Sequence, residues 1–352
     1  MDNRRQNRRQ QQRSRMMLIV AAVIILLAAV ILCISLGVFS ETGLLRSKKT
    51  AAESGTQGWT SEKSHSSEKS DPNAVVYGGK TYIYNDHLTN YLLLGVDTDG
   101  SIQEEKTPGS AGQSDTIFLI SYDRVKETTV GLAIPRDTIT QIEKFTPGGD
   151  SLGFYSDHLN LQYAYGDGKR KSCELTSTAV SRLLSGLPIG GYAAVNLESI
   201  PALTQLLGGV EITVPDDSLA DKNPDFVKGN KVILDETNTG LFVRSRDRST
   251  EQSAIVRMNR QKVFLEAFAS KLAQEQKKDA STVTTLYEKM KAEMITNMST
   301  DQFVDIAVAE RSGGIQTIPG ETGHEEVYDV YRIDDAALYK MILELFYTEA
   351  EE

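Results

Sequence analysis

The most extended hydrophobic pattern of the chain lies close to its N-terminus. Residues 16–39 contain no charged side chain, and about 20 apolar residues suffice to cross the hydrocarbon core of a bilayer. Residues 1–15 contain six arginines and a single acidic residue, Asp2. Basic residues before such a span favour a cytoplasmic N-terminus. The pattern predicts a cytoplasmic basic tail (1–15), one transmembrane helix (16–39) and an extracellular remainder.

A cleaved signal peptide is the alternative for residues 16–39. The apolar region of a signal peptide is roughly 7–15 residues long and ends at a small-residue cleavage site. This run is longer, and no A-x-A pattern closes it. We therefore favour a retained anchor.

Residues 40–73 have a different composition from the regions on either side. They are rich in Ser, Lys, Glu, Thr and Gly and show no apolar periodicity. Such a composition buries too little surface to offset the entropy of ordering. We expect a flexible extracellular stalk here, followed by a folded extracellular domain at 74–352.

Three short apolar runs near the start of that domain predict neighbouring strands. They occupy 91–97, 116–122 and 128–134, and such runs are typical of strands that are covered on both faces. The tight turn at 123–127 makes the second and third strands antiparallel, and no crossover helix separates the first from the second. Ahead of them, 74–84 alternates around Gly78-Gly79 and predicts a hairpin.

The rest of the domain alternates between helical and strand patterns. Apolar residues at helical spacing predict helices at 159–166, 174–184, 197–207, 253–276, 281–294 and 334–346. Further strands are expected at 192–196, 210–214 and 314–318. Helices interleaved with strands that are apolar on both faces predict an α/β fold, as an α/β/α layered domain with a mixed central sheet.

Polar residues mark the ends of the first three predicted strands. Asp97 ends the first strand, Asp115 precedes the second and Arg136 follows the third. Antiparallel neighbours bring these positions to one edge of the sheet. The connection at 98–114 is long for a packed domain, and such loops are often functional. We expect a site with two carboxylates and an arginine at this edge.

Charge patterning adds a second candidate region. The chain carries a net charge of −10, yet the stretch 243–261, VRSRDRSTEQSAIVRMNRQ, concentrates arginines at positions 244, 246, 248, 257 and 260. Guanidinium groups are permanently charged and match the oxygen pairs of phosphates. The stretch is therefore a candidate anion site. The alternative is a solvated charged loop, partly neutralised by Asp247 and Glu251.

Composition and motifs argue against several other classes. The chain has 2 cysteines, Cys33 within the apolar run and Cys173 alone in the outer domain, so no intrachain disulfide is expected there. The acidic outer domain argues against a nucleic-acid partner. The sequence contains no G-x-x-x-x-G-K-[ST] phosphate loop.

An ordered set of short motifs runs through residues 91–268, behind the N-terminal span. The motifs are LLLGVD, SDT, IPRDT, YAYG, LLGGV, VRSR and R-x-x-RQ. In this order they resemble the LytR-CpsA-Psr family. The resemblance implies a cell-envelope enzyme that transfers an anionic glycopolymer, such as teichoic acid or capsule, from a polyprenyl-pyrophosphate carrier onto peptidoglycan. The carrier-linked glycopolymer, peptidoglycan and membrane lipid are therefore the expected partners.

The matching motifs also imply roles for individual residues. By resemblance, Asp97 and Asp115 hold Mg²⁺, for which Mn²⁺ is the substitute. Mg²⁺ is usually held by one or two carboxylates plus substrate phosphates, and phosphoryl transfer depends on positioning and charge neutralisation. The implied clamp on the pyrophosphate consists of Arg136, Arg244, Arg246 and Arg257, with Gln261 and Arg260 as further substrate contacts. Asp137 or Asp115 is the candidate proton acceptor when a sugar hydroxyl attacks phosphorus.

Two positions depart from the family pattern. Gln113 stands where the family usually has arginine, and His158 where it usually has lysine; both remain predicted substrate-binding residues. A charged contact contributes roughly 1.5–3 kcal/mol, so the site is expected to be weakened unless a neighbouring charge such as Lys144 or Arg248 compensates. The alternative is a non-catalytic polyprenyl-phosphate-binding or scaffold protein. In either case the carrier tail needs an apolar channel between sheet and helices, lined by Leu203 and Leu207.

Overall fold

The computed structural model describes residues 74–98, 100–247, 249–325 and 328–350. The predicted tail, transmembrane helix and stalk at 1–73 lie outside the described residues and stay predictions. Within the described part of the chain, no helix is both long and apolar enough to cross a bilayer. All described residues belong to one of the two units into which the chain divides, Glu68–Glu352.

The described residues form strands β1 to β15. In chain order these are Ala74–Tyr77, Lys80–Tyr84, Leu88–Val96, Ser114–Asp123, Thr128–Ala133, Ile139–Phe145, Ser151–His158, Gly191–Asn196, Val210–Thr213, Lys231–Leu234, Met294–Thr296, Glu310–Thr317, Gly320–Glu325, Tyr328–Ile333 and Tyr347–Glu349.

The same residues form helices α1 to α8. These are Leu161–Ala164, Arg170–Leu183, Ile200–Leu206, Thr239–Arg244, Ser253–Lys278, Thr282–Met290, Thr300–Val308 and Asp335–Phe346. A 3₁₀ turn at Leu197–Ser199 leads into α3. Helix α3 begins with Pro201 in its first turn, where the missing proline N–H removes no helical hydrogen bond.

A six-stranded sheet in the order β11-β8-β3-β4-β5-β12 forms the centre of the domain. Strand β4 lies antiparallel to both β3 and β5, as the apolar runs predicted. Strand β8 joins β3 in parallel and β12 joins β5 in parallel, whereas β11 is antiparallel to β8. The predicted mixed central sheet is therefore confirmed.

Helices cover both faces of this sheet. Successive strand side chains point to opposite faces, so Leu92 packs with Val180 of α2 and Ile342 of α8, while Leu93 packs on the other face beside Met258 of α5. Each apolar side chain of this kind contributes roughly 1.5–3 kcal/mol when fully buried. The two buried layers give the predicted α/β/α arrangement.

Short hairpins lie outside the central sheet. The hairpin predicted at 74–84 is confirmed: β1 and β2 pair through a turn at Gly78 and Gly79, whose φ angles of 60° and 78° favour glycine. The hairpins β6–β7, β9–β10 and β13–β14 were not predicted in full. In β7 and β13 most side chains are exposed or half-buried, so these strands lack the apolar signal of a core strand.

We predict that Gly166→Ala destabilises the fold where the chain enters α2. A Cβ at Gly166 lies 2.3 Å from the backbone nitrogen of Ser172 and 2.4 Å from its Cα, and backbone atoms cannot move aside as a side chain does. Overpacking of this kind costs about 1–3 kcal/mol. Denaturant unfolding of the full chain measures the loss.

The matched control is Gly148→Ala. Its Cβ meets no atom closer than Thr146 Oγ1 at 3.6 Å, an ordinary contact distance. Equal stabilities of the two variants contradict the prediction.

Candidate functional site

The candidate site lies where four parallel strands of the central sheet end. Val96, at the end of β3, pairs with both Ser114 and Asn196, and β5 and β12 run in the same direction as β3. Ile134, just past β5, donates its N–H to Ile117. The positions after β3, before β4 and after β5 therefore share one edge, as the sequence predicted.

Asp115 lies at the centre of this edge between two arginines. Its Oδ2 accepts from Nη1 of Arg257 at 2.8 Å, and its Oδ1 accepts from Nη1 of Arg136. The three side chains are only 4–14% exposed. One carboxylate is thus shared by two buried guanidinium groups.

Arg136 organises the polar contacts around the cluster. Its Nε donates to Asp137 Oδ1 at 3.1 Å and its Nη2 donates to Gln113 Oε1 at 2.7 Å. Burial lowers the pKa of Arg136 to about 10; Asp137 opposes the shift, and the positive charges of Arg257 and Arg246 add to it. Arg246 is therefore close to this cluster. A bound anion relieves the repulsion among these guanidinium groups.

A second group of charges lies at the end of β3. Nε and Nη2 of Arg244 donate to Asp97 Oδ1 at 3.1 and 2.8 Å, and Nη2 lies 3.4 Å from Glu198 Oε1. These side chains are about a third exposed, so solvent weakens the ion pairs. The contacts can open when a ligand competes for Arg244.

An apolar cavity of about 260 Å³ adjoins this edge between the sheet and the helices. Gly95 and Thr116 line it beside Asp97 and Asp115, and almost all other lining residues are apolar. The lining includes Val195 and Phe118 from the sheet and Leu203 from α3, but not Leu207, which is buried elsewhere. The predicted channel is thus present in outline, with Leu207 outside its wall.

Gln261 lies between the charged cluster and this cavity. It follows Arg257 by one helical turn on α5, so both side chains share a face. Its Nε2 donates to the carbonyl of Val243 at 2.9 Å, which fixes the orientation of the amide. Gln261 lines the cavity, and its Oε1 is buried with no hydrogen-bond partner among the described residues.

Comparison with known proteins supports the family resemblance that the ordered motifs indicated. The model of the LytR_cpsA_psr family matches residues 43–345, which is most of the chain. The chain belongs to the LytR-CpsA-Psr family. The resemblance drawn from the ordered motifs is confirmed.

Several relatives within the LytR-CpsA-Psr family carry transferase names. A protein of Bacillus mycoides named polyisoprenyl-teichoic acid–peptidoglycan teichoic acid transferase TagU is 29% identical over 255 residues, covering 70% of this chain and 74% of its own. Its namesake in Bacillus cereus strain AH820 is 27% identical over 283 residues, covering 78% and 82%.

Solved structures share the fold. TagT bound to LI-WTA has a TM-score of 0.54 at 21% identity and covers 74% of this chain and 90% of that one. A Streptococcus agalactiae protein, gbs0355, has a TM-score of 0.57 at 17% identity, with coverage of 75% and 91%. At these identities the likeness establishes the architecture alone.

Two residues at the LytR-CpsA-Psr site escaped the sequence prediction. Asn160 is buried, donates from Nδ2 to Gln113 Oε1 at 2.8 Å and donates its backbone N–H to Arg136. Its place two residues after His158 and just ahead of the YAYG motif was an available signal. Glu198 follows β8, and the rule that parallel strands end at one edge indicates it as well.

The structure corrects the role predicted for Arg260. Its guanidinium is 1% exposed and donates to the backbone carbonyls of Phe242 and Ser245 and to the hydroxyl of Ser218. Burial lowers its pKa to about 10. These contacts hold the backbone at the end of α4 in place. Arg260 therefore stabilises the site and is not a substrate contact.

His158, predicted to contact the substrate, is engaged by protein groups in this structure. Its Nδ1 lies 3.1 Å from Asp157 Oδ1 and its Nε2 lies 3.0 Å from the backbone oxygen of Asp329. Both ring nitrogens thus face protein oxygens. Lys144, considered as a compensating charge, forms an ion pair with Asp157 at 2.6 Å. Arg248, the other compensating candidate, lies outside the described residues.

The residues predicted to hold a divalent cation fit that task in part. Asp97 and Asp115 supply two hard carboxylates on one edge, and Mg²⁺ is usually held by one or two carboxylates together with substrate phosphates. Both carboxylates are paired with arginines. Phosphate oxygens of a substrate can replace the carboxylates as partners of these arginines. Among the described residues no group of three His, Cys, Asp or Glu side chains is gathered for a metal, so substrate oxygens must complete the set.

We predict that Asp115→Asn destabilises the chain and that inorganic pyrophosphate restores it. The substitution keeps the shape but leaves Arg136 and Arg257 without their shared counter-charge. Losing one partner of a buried ion pair costs about 3–5 kcal/mol. Thermal unfolding of the full chain, with and without pyrophosphate, gives the measurement.

The control is Glu349→Gln, which breaks an exposed pair with Lys80 and should leave the melting temperature unchanged. Pyrophosphate should raise the melting temperature of Asp115→Asn more than that of the wild type. An equal rise in both proteins would show that the anion binds elsewhere.

Proposed function

We propose that this chain is a membrane-anchored phosphotransferase that moves an anionic glycopolymer from a polyprenyl-pyrophosphate carrier onto peptidoglycan. The supporting observation is that a cluster of buried arginines at the sheet edge adjoins an apolar cavity. A diphosphate joined to a long apolar tail is a ligand that matches both. The transferase names of the relatives point to the same substrate class.

The proposed reaction transfers the phosphate that bears the glycopolymer from the carrier to an acceptor sugar. The oxygen of an acceptor sugar hydroxyl attacks the phosphorus that bears the glycopolymer. The bond from that phosphorus to the oxygen bridging the two phosphates breaks, and polyprenyl phosphate leaves with the electron pair. Asp137 accepts the hydroxyl proton. Its carboxylate is oriented by Nε of Arg136 at 3.1 Å.

The arginines stabilise the transition state because charge moves onto the leaving phosphate as the bond breaks. Arg136 and Arg257 are held in place by Asp115 before substrate arrives, so little reorganisation is needed during the reaction. Arg244 and Arg246 extend the positive surface toward the end of β3. Gln261 orients the ligand where the charged cluster meets the cavity.

A divalent cation is the proposed cofactor, with Mg²⁺ first and Mn²⁺ as substitute. Asp97 and Asp115 would hold it, and it would neutralise charge on the diphosphate. With the cation bound, phosphate oxygens would become partners of Arg136, Arg244 and Arg257, which here pair with these carboxylates.

One observation favours a second candidate, a polyprenyl-phosphate-binding protein without turnover. Gln113 supplies no charge at the site, and the His158 ring is turned toward Asp157 and Asp329. The site thus lacks two positive charges that the family pattern would provide. Such a protein retains the lipid but transfers nothing.

The deciding experiment incubates the full chain in detergent with a polyprenyl-diphosphate-linked glycopolymer, peptidoglycan and Mg²⁺. We expect polyprenyl phosphate to be released by the wild type, and Arg244→Ala and Asp115→Ala to lower the rate by at least about 100-fold, in line with the loss of one transition-state contact. Arg170→Ala is the matched control, because Arg170 also pairs with a single carboxylate, Glu174, outside the site. Binding without release by the wild type supports the second candidate.

We also predict that filling the cavity weakens lipid binding. Leu203→Trp adds a bulky ring to the wall, whereas Leu206→Trp changes an exposed position of the same helix. Displacing several buried methylenes of a tail, at about 0.8 kcal/mol each, should lower the affinity of Leu203→Trp for polyprenyl phosphate at least ten-fold. Calorimetric titration in detergent compares the two. Equal affinities contradict a tail in this cavity.

A further inference from the structure

Asp329, a residue with no role in the reaction above, connects three segments around the site. Its Oδ2 accepts the backbone N–H of Gln252 at 3.0 Å. Its Oδ1 lies 3.1 Å from Nδ1 of His324, and its backbone oxygen lies 3.0 Å from Nε2 of His158. The side chain is 20% exposed. One residue of β14 therefore contacts the start of α5, strand β13 and the end of β7.

The contact with Gln252 fixes where α5 begins. Gln252 is the N-cap of that helix, adopts a left-handed φ of 60° and makes no side-chain capping bond. A non-glycine residue holds this conformation only when its surroundings support it. A carboxylate is also favourable near a helix N-terminus. Asp329 supplies both the hydrogen bond and the charge, and α5 carries Arg257 within its second turn.

The contact with His158 fixes the opposite half of the site. His158 ends β7, and two residues later Asn160 binds Gln113 and the backbone oxygen of Arg136. The same strand adds a second link, because Tyr331, two residues after Asp329, donates its N–H to the carbonyl of Asp137 at 2.8 Å. Strand β14 thus supports the segment that carries Arg136.

We propose that Asp329 is a positioning residue that sets the separation between the two halves of the arginine cluster, Arg136 on one side and Arg257 on the other. It touches neither phosphate nor sugar. The proposal rests on the proposed function for its effect on rate. Its structural part, the anchoring of α5, stands without that function.

The first test is hydrogen exchange on the full chain in detergent. Asp329→Ala removes the acceptor of the Gln252 N–H, so amides at 252–256 should exchange about ten-fold faster, as expected when a helix start loses its supporting bond. Asp329→Asn keeps an oxygen acceptor and should exchange like the wild type. Glu325→Ala is the matched control, since Glu325 lies in the same hairpin and pairs only with Arg332 in the described contacts.

The second test is the transfer reaction with the polyprenyl-diphosphate-linked glycopolymer. Asp329→Ala should lower kcat about ten-fold with little change in KM, because the cavity that holds the tail contains none of these residues and a tenfold rate change needs only a small loss of transition-state contact. Asp329→Asn should recover most of the rate, and Glu325→Ala should match the wild type.

The outcomes separate this proposal from the proposed function. A wild-type chain without turnover rejects the function, while hydrogen exchange still tests the anchoring. Turnover of Asp329→Ala at the wild-type rate overturns the positioning role, whether or not exchange at 252–256 changes. Equal losses in kcat for Asp329→Ala and Asp329→Asn also overturn it, because the oxygen acceptor that asparagine retains for the Gln252 N–H would then make no difference.

Discussion

The sharing of one buried carboxylate by two buried guanidinium groups is the interaction on which the candidate site depends. Asp115 satisfies Arg136 and Arg257 at once, and burial of such charges is costly without compensation. The sheet register brings Asp115 and Arg136 together, and α5 brings Arg257 from far along the chain. Arg246 and Arg257 both act on Arg136 as like charges, and this repulsion makes the edge receptive to an anion.

Helix α5 couples that charged edge to the apolar cavity. Arg257, Gln261, Phe264, Phe268 and Leu272 follow one another at helical spacing, so a single face changes from charged to apolar along its length. Gln261 and the later residues line the cavity. A ligand with an anionic head and an apolar tail therefore meets one continuous surface. This arrangement requires the N-terminus of α5 to be fixed relative to the sheet edge, and the contact of Asp329 with Gln252 fixes it.

Hydrogen-bond partners decide the role of residues that look alike in the sequence. Arg257 and Arg260 stand three positions apart on α5, yet Arg257 turns toward Asp115 whereas Arg260 turns toward the carbonyls behind the site. Gln113 accepts hydrogen bonds from Arg136 and Asn160, a task that arginine, a pure donor, cannot perform. The departure from the family pattern thus removes a charge but adds an orienting contact.

The sequence by itself determined the central strands, their antiparallel order and the meeting of Asp97, Asp115 and Arg136 at one edge, because apolar runs and a tight turn leave few pairings open. It also determined the family, through short motifs in a fixed order. Only the tertiary structure decided the hairpins β6–β7 and β13–β14 and the cavity wall without Leu207. It also decided the roles of Asn160, His158, Arg260 and Asp329. These features depend on contacts between residues that are far apart in the sequence, and local hydrophobic periodicity does not encode such contacts.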